Sequence, residues 1–244
     1  MLSKTRAIVL HSIKYGENKL IIKLYTEHFG VKSFILTRSS TSKKNSSKAS
    51  LLQPLQPIEI VFKKGKSDSS LGYINEMSAA AHLMRAHTNI VKSSLIIFLN
   101  EVLLKSIKEE EEENNALFHF LFQSIVMIDH LETGYENFHL YFLLELTKQL
   151  GFYPEGKKGS NSSLFNLKEG FFTESFHADA FSLSTEESAL FEKLMTIDLN
   201  TISEFKLNYV SRKKLLYALL RYYELHITNF VEPKSLGVLE TLLN

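Results

Sequence analysis

The chain has 244 residues, of which 44% are hydrophobic and 23% charged, as in globular proteins with one large or two smaller cores. It contains no cysteine, which excludes disulfides, thiolate metal ligands and a cysteine nucleophile. The longest apolar run, residues 94–99, is too short to span a bilayer, and no apolar stretch follows Lys4 and Arg6 as a secretory signal requires. We therefore expect a cytoplasmic protein without membrane contact.

The charge is divided unevenly along the chain. Residues 1–80 contain 13 Lys and Arg but only five Asp and Glu, a net charge of +8. Residues 81–244 contain 15 Lys and Arg and 22 Asp and Glu, a net charge of −7. A basic half beside an acidic half indicates a polyanionic partner for the basic half, and it predicts a domain boundary near residue 80.

The first 80 residues have the pattern of five short strands. In the second, Leu20, Ile22 and Leu24 alternate with Lys19 and Lys23, the period of a half-buried strand. The five strands are predicted at residues 5–11, 19–25, 31–38, 58–62 and 71–77. Five strands with one long polar connection favour a small closed β-barrel such as the OB-fold, although an SH3-like barrel fits the periodicity nearly as well.

From residue 81 the apolar spacing becomes helical, so we predict an α+β protein with a barrel domain at 1–80 and a helical domain at 81–244. Ser184 and Glu187 have the spacing of a capping box, and Gly151 is suited to end a helix. The helices are predicted at residues 88–107, 115–131, 137–150, from 184 onward, 211–230 and 234–243, with a small irregular insertion at about 152–182.

A long basic segment in the first 80 residues predicts nucleic-acid contact. No Asp or Glu occurs between His28 and Ile58, and lysines that neutralise phosphates supply most sequence-independent affinity. Bases also stack on aromatic side chains, for which Tyr15, Tyr25, Phe34 and Tyr73 are candidates. The alternative is a solvated basic loop beside aromatic residues that belong to the barrel core. The predicted DNA-binding set is Arg6, Lys14, Lys19, Lys23, Tyr25, Lys32, Phe34, Arg38, Lys43, Lys44, Lys48, Lys63, Lys64 and Lys66.

No motif for catalysis is present in the sequence. The nucleophile elbow of hydrolases, the phosphate-binding loop of NTPases and the dinucleotide fingerprint are all missing. Consecutive glutamates at 109–113 fan around a helix axis instead of converging on a metal, so a solvated loop is favoured. We therefore expect a non-enzymatic protein with no cofactor and no metal.

The order of short motifs along nearly the whole chain resembles the RecO family of DNA repair proteins. The opening strand is similar at residues 4–10, and a Tyr-Gly-Glu turn follows at 15–17. The remaining similar segments are 24–30, 53–55, 137–140, 150–154, 226–230 and 234–236. Many family members carry four zinc-binding cysteines after the Leu-Gly-Phe-x-Pro motif. Residues 155–182 have none, so we expect no zinc there and packing around Phe165, Phe171 and Phe172.

This resemblance implies an OB-fold followed by a helical domain, and a nucleoid-associated mediator of bacterial DNA repair and recombination in the RecF pathway. Such a mediator binds DNA, preferably single-stranded but also duplex, anneals complementary strands, and loads recombinase with RecR and single-stranded DNA-binding protein. The alternative is a non-catalytic scaffold whose basic barrel binds RNA or an acidic protein.

The acidic C-terminal tail of single-stranded DNA-binding protein requires an apolar pocket with a cation at its rim. Residues 211–214 open the 211–230 helix with three cations, which could hold an acidic peptide or a phosphate backbone. The predicted partner-binding cations are Arg85, Lys92, Lys148, Arg212, Arg221 and Lys234.

Overall fold

The structure is a computed structural model that describes residues 2–37, 49–65, 71–107, 113–157, 159 and 163–243. It divides into two compact units, Met1–Asn100 with Ile107–Asp129, and Glu101–Ser106 with His130–Asn244. The strands of the first unit end at residue 79, but the unit itself continues into helices, so an independent domain at 1–80 stays a prediction. Over the described ranges, no helix combines the length and apolar character needed to cross a membrane.

A closed five-stranded barrel forms the start of the first unit. Its strand order is β1–β2–β3–β5–β4, with β1 paired to both β2 and β4 and with β3 parallel to β5. This arrangement confirms the predicted OB-fold. The strands are β1 (Leu2–Tyr15), β2 (Lys19–Thr26), β3 (Gly30–Thr37), β4 (Pro57–Lys63) and β5 (Gly72–Ala79).

Alternate residues of each strand fill the barrel. The buried core comprises Ala7, Val9, Ile22, Leu24, Phe34, Leu36, Ile58, Ile60, Phe62 and Ile74. In β1 the alternation is interrupted by a bulge, because Val9 pairs with Leu24 while His11 pairs with the next residue, Lys23. Leu10 is therefore an extra residue in β1, and the residues after it face the side opposite to the one that simple alternation predicts.

Two helices follow the barrel, α1 (Ile90–Ser106) and α2 (Asn115–His130), and the first unit contains α1 up to Asn100 and α2 up to Asp129. They cover the outer side of the barrel where Ile8 and Leu10 are buried. Tyr25 stacks on Phe118 of α2 with 6.5 Å between the ring centroids, and Asn100 of α1 donates a hydrogen bond to the Leu10 carbonyl. The part of the outer surface of β1 and β2 that carries Ile8, Leu10 and Tyr25 is thereby buried.

Among its described residues, the second unit contains the C-terminal part of α1, four further α-helices and a hairpin. The remaining elements are α3 (Phe138–Gln149), β6 (Ser163–Asn166), β7 (Phe171–Glu174), α4 (Thr185–Met195), α5 (Tyr209–His226) and α6 (Leu236–Leu242). Gly151 follows α3 with φ +84°, which suits a glycine after a helix end. The capping box is confirmed: Ser184 Oγ accepts from Glu187 N, and the Glu187 carboxylate accepts from Ser184 N.

Aromatic packing holds the irregular insertion between α3 and α4. Phe165 stacks on Phe191 with a centroid separation of 4.2 Å and meets Phe172 edge-on at 5.2 Å. Both therefore act as the anchors that the sequence predicts. The prediction is wrong for Phe171, which is 44% exposed because it faces away from this cluster.

Candidate nucleic-acid interface

One part of the outer barrel surface is left open beyond the β1 bulge. His11, Ile13 and Tyr15 lie there directly opposite Lys23, Ile21 and Lys19 of β2. Cross-strand partners project from the same side of a sheet. Since Ile22 and Leu24 face the barrel core, these alternating residues face outward.

The outward row continues across the neighbouring strands. Ile21 pairs with Ile35 of β3, Ile35 pairs with Tyr73 of β5, and Tyr73 pairs with Lys63 of β4. At the usual spacing between strands, the row from Ile13 to Tyr73 covers roughly 14 Å. We call this surface the tyrosine–lysine face; it is defined by Ile13, Tyr15, Lys19, Ile21, Lys23, Ile35, Lys63 and Tyr73.

The tyrosine–lysine face combines exposed rings with positive charge. Tyr15 is 55% exposed and Tyr73 49%, and Ile13 is similarly open. Lys19 and Lys63 are exposed, whereas Lys23 is half-buried. Within the described residues, no carboxylate lies within ion-pair distance of Lys19 or Lys63. Rings open to stacking beside cations open to phosphate are the two requirements for holding a single strand.

The two aromatic residues in the predicted DNA-binding set do not belong to this face. Phe34 is 2% exposed, because it projects into the barrel and meets Phe62 at 4.9 Å. Tyr25 projects outward but is fully buried beneath α2, where it stacks on Phe118. Neither ring can stack on a base, so that prediction is wrong for both, and the other two candidates, Tyr15 and Tyr73, are the exposed ones.

Arg6 is engaged within the first unit, and its side chain is 38% exposed. Its Nε and Nη2 both bond to the carboxylate of Glu27, and its guanidinium lies 5.5 Å and 5.3 Å from the rings of Phe118 and Phe122. The hydrogen bonds from Arg6 lower the pKa of Glu27. Arg6 therefore links β1, β2 and α2, and its contact with DNA stays a prediction.

The other predicted cations of the barrel lie outside the tyrosine–lysine face. Lys14 and Lys32 are exposed, but they occupy the strand positions between those that form the outward row. Lys64 is exposed and lies over the ring of Phe29, 4.9 Å from its centroid. Their contact with DNA stays a prediction. Five predicted positions fall outside the described residues: Arg38, Lys43, Lys44, Lys48 and Lys66.

The predicted partner-binding cations are divided between the two units. Arg85 and Lys92 belong to the first unit and the other four to the second. Lys92 is 1% exposed, and its Nζ bonds to the backbone oxygen of Asp129 at 2.9 Å, so its predicted partner contact is wrong. Arg85, Lys148, Arg221 and Lys234 are exposed.

Arg212 is occupied by internal hydrogen bonds. Its Nε donates to Asn137 Oδ1 at 2.8 Å, and its two terminal nitrogens donate to the backbone oxygens of Leu243 and Leu207. A guanidinium held at three points fixes the start of α5 and the end of the described chain. The prediction that Arg212 binds a partner is therefore wrong.

A cavity of about 470 Å³ lies at the N-terminal part of α5. Lys213 stands between two aromatic rings, 5.9 Å from Tyr209 and 5.6 Å from Tyr217, and its Nζ pairs with Glu240 at 3.1 Å. Lys214 pairs with Glu186 at 2.8 Å. The lining residues are Leu183, Glu187, Tyr209, Val210, Lys213, Lys214, Tyr217 and Ala218. This is an apolar pocket with cations at its rim, and the basic cluster at 211–214 together with Tyr217 was its sign in the sequence.

Comparison with known proteins agrees with this architecture. Residues 1–82 match the family model "Recombination protein O N terminal", and residues 87–236 match "Recombination protein O C terminal". The chain is 38% identical over 241 residues to DNA repair protein RecO of Flavobacterium johnsoniae and 37% over 243 residues to that of Christiangramia forsetii, with 99% of both chains covered in each case. It is 34% identical over 247 residues to RecO of Bacteroides fragilis, with full coverage of both. The chain belongs to the RecO family of DNA repair proteins.

Proposed function

We propose that this protein binds single-stranded DNA, and also duplex DNA, on the tyrosine–lysine face and anneals complementary strands there. The observation that carries the proposal is the presence of two half-exposed tyrosines and two exposed lysines on one continuous surface of an OB-fold. The lysines would screen the repulsion between phosphate chains, and the rings would hold unstacked bases. Annealing by this route needs no bond chemistry, and the protein acts as a mediator that loads recombinase with RecR.

The contribution of the rings is tested by fluorescence anisotropy with a labelled oligothymidylate. Because stacking contributes about 1–3 kcal/mol per base, Tyr15→Ala and Tyr73→Ala should each weaken binding by roughly fivefold to 150-fold. Tyr217→Ala is the matched control, since this tyrosine is about as exposed but lies on α5. Wild-type affinity in both barrel variants would contradict the proposal.

The contribution of the lysines is tested by the salt dependence of the same binding. Each phosphate neutralised on a single strand adds about −0.7 to the slope of log K against log salt. Charge reversal at Lys19 and Lys63 should therefore flatten the slope by about 1.4, whereas reversal of the exposed Lys206 should leave it unchanged. A slope that these two barrel substitutions do not alter would remove the lysines from the interface.

Annealing separates this proposal from a scaffold that binds RNA or an acidic protein. Complementary oligonucleotides coated with single-stranded DNA-binding protein should anneal faster with the wild type than with Tyr15→Ala. A scaffold would leave the annealing rate of the coated strands unchanged, and it would bind RNA at least as tightly as DNA.

The cavity on α5 supports a second contact, with the acidic tail of single-stranded DNA-binding protein. Its walls offer apolar surface for a side chain, and Lys213 and Lys214 can exchange their intramolecular carboxylates for that of a peptide. Charge reversal at Lys214 should weaken binding of a labelled tail peptide by about fivefold or more. Reversal at Lys157, which is exposed and does not line the cavity, is the control and should not alter it. Equal losses from both substitutions would exclude the cavity as the specific site.

A further inference from the structure

Asn100 of α1 makes a buried contact with the bulge of β1. Its Nδ2 donates a hydrogen bond of 2.9 Å to the backbone oxygen of Leu10, 90 residues earlier in the chain. Asn100 is 7% exposed, and no hydrogen-bond donor among the described residues reaches its Oδ1. A buried amide that is only half satisfied is costly on an apolar helix face, and the bond to the Leu10 carbonyl satisfies its donor half.

The carbonyl that Asn100 binds belongs to the residue at which the β1 bulge occurs. Leu10 is the extra residue of β1, because the residues on either side of it pair with consecutive residues of β2. The backbone of the neighbouring Val9 is held from a second direction. Leu55 N donates a hydrogen bond of 2.7 Å to the Val9 oxygen, and Val9 N donates one of 3.1 Å to the Gln56 oxygen. The bulge is thus fixed on both sides.

The bulge is the point at which the outer surface of β1 changes from covered to open. Ile8, before the bulge, and Leu10, at the bulge, are buried, whereas Ile13 and Tyr15 beyond it are exposed. A bulge bends its strand and increases the local twist. The direction in which the rest of the β1–β2 hairpin projects, and hence the position of Tyr15 relative to Tyr73, depends on how the bulge is held.

We infer that Asn100 is a positioning residue for nucleic-acid binding: by holding the Leu10 carbonyl it sets the direction of the β1–β2 hairpin and places Tyr15 on the tyrosine–lysine face. This inference rests on the proposed function. Asn100 itself touches no nucleic acid. Its effect is confined to residues carried by the hairpin and does not extend to Tyr73, which belongs to β5.

A double-mutant cycle on the full-length protein tests this role. Asn100→Leu removes the donor at similar volume, and it should weaken oligothymidylate binding by about fivefold, the effect of losing one net hydrogen bond. In a Tyr15→Ala background the same substitution should have almost no further effect, whereas in a Tyr73→Ala background its full effect should persist. Ile96→Val, a conservative loss in the buried face of the same helix, controls for general destabilisation and should leave affinity unchanged.

Hydrogen exchange of the free protein provides a readout that does not depend on DNA. Asn100→Leu should accelerate exchange in residues 11–23 and leave β5 unchanged. Additive effects in both tyrosine backgrounds, or unaltered exchange in the hairpin, would overturn the positioning role. Wild-type affinity in both Tyr15→Ala and Tyr73→Ala would instead refute the proposed binding face, and the exchange experiment would still decide whether Asn100 positions the hairpin.

Discussion

The carboxylate of Asp129, near the end of α2, joins that helix to the segment that precedes α1. Its Oδ1 accepts hydrogen bonds from Arg85 N and Ala86 N, both at 2.7 Å, and its Oδ2 accepts one from Met84 N at 3.1 Å. The side chain is 4% exposed. We predict that Asp129→Ala destabilises the protein strongly while leaving the side-chain packing of the barrel core in place.

The expected loss in the free energy of unfolding follows from the environment of the three N–H groups. Ala86 is fully buried, so its orphaned N–H cannot reach water, which costs about 1–3 kcal/mol. Met84 and Arg85 are exposed, and water replaces the carboxylate there at roughly 0.5 kcal/mol each. The sum, about 2–4 kcal/mol, is a large part of the 5–15 kcal/mol that typically separates folded from unfolded protein.

Urea unfolding followed by circular dichroism measures this loss directly. The midpoint should fall in Asp129→Ala while the m-value is retained, because the same surface is exposed on unfolding. Asp129→Asn keeps the shape and one acceptor oxygen, so it should lose about half as much. A free energy of unfolding within 0.5 kcal/mol of the wild type in the alanine variant, a threshold set by ordinary surface substitutions, would refute the reasoning.

Two further predictions concern the second unit. Burial, together with the charge of Arg212, lowers the pKa of His139 to about 3. In the unfolded chain this imidazole takes up a proton near pH 6.5, so the free energy of unfolding should fall by roughly 1.4 kcal/mol for each pH unit below pH 6.5. His139→Leu should lose this component, as chemical denaturation at pH 5 and pH 7 will check, and parallel pH profiles would contradict it. Gly134 has φ +76°, and a Cβ there would lie 2.6 Å from Ser203 Cα, so Gly134→Ala should lower the melting temperature far more than Gly16→Ala, where φ is +68° but space is open. Equal melting temperatures would show that the segment at Ser203 yields to the added methyl group.

The order of elements and the family could be predicted because their signals are local. Five short strand-like segments predicted the barrel, the Ser184 and Glu187 pair predicted a helix start, and Gly151 predicted a helix end. These features depend on residues close in sequence. The helix ends were predicted less accurately. The helix α5 was predicted at 211–230 but is Tyr209–His226, because Asn208 caps its start.

The candidate site was predicted only in part because strand alternation does not say which face is inside. Phe34 shares its side of β3 with Lys32, but that side lines the barrel. Tyr25 shares the outward side with Lys23, yet α2, about 90 residues later, covers it. The bulge at Leu10 also reverses the alternation of β1. These are long-range or irregular features, and none leaves a mark in local sequence.

Long-range packing likewise explains the errors among the partner-binding cations. Lys92 lies in a helix whose apolar spacing is regular, but its Nζ reaches the backbone of Asp129, 37 residues away. The lysines at the cavity rim, Lys213 and Lys214, stood beside Arg212 in the same basic cluster. Which of the three faces a pocket depends on the position of α4 and α6, from which Glu186 and Glu240 approach.

The most direct test of the central claim is hydrogen exchange of the protein with and without a saturating single-stranded oligonucleotide. If the strand binds on the tyrosine–lysine face, exchange should slow in residues 11–23 and 71–75 and remain unchanged in α4 and α5. Slowing of exchange that is confined to the second unit, or spread evenly over both units, would contradict binding on this face.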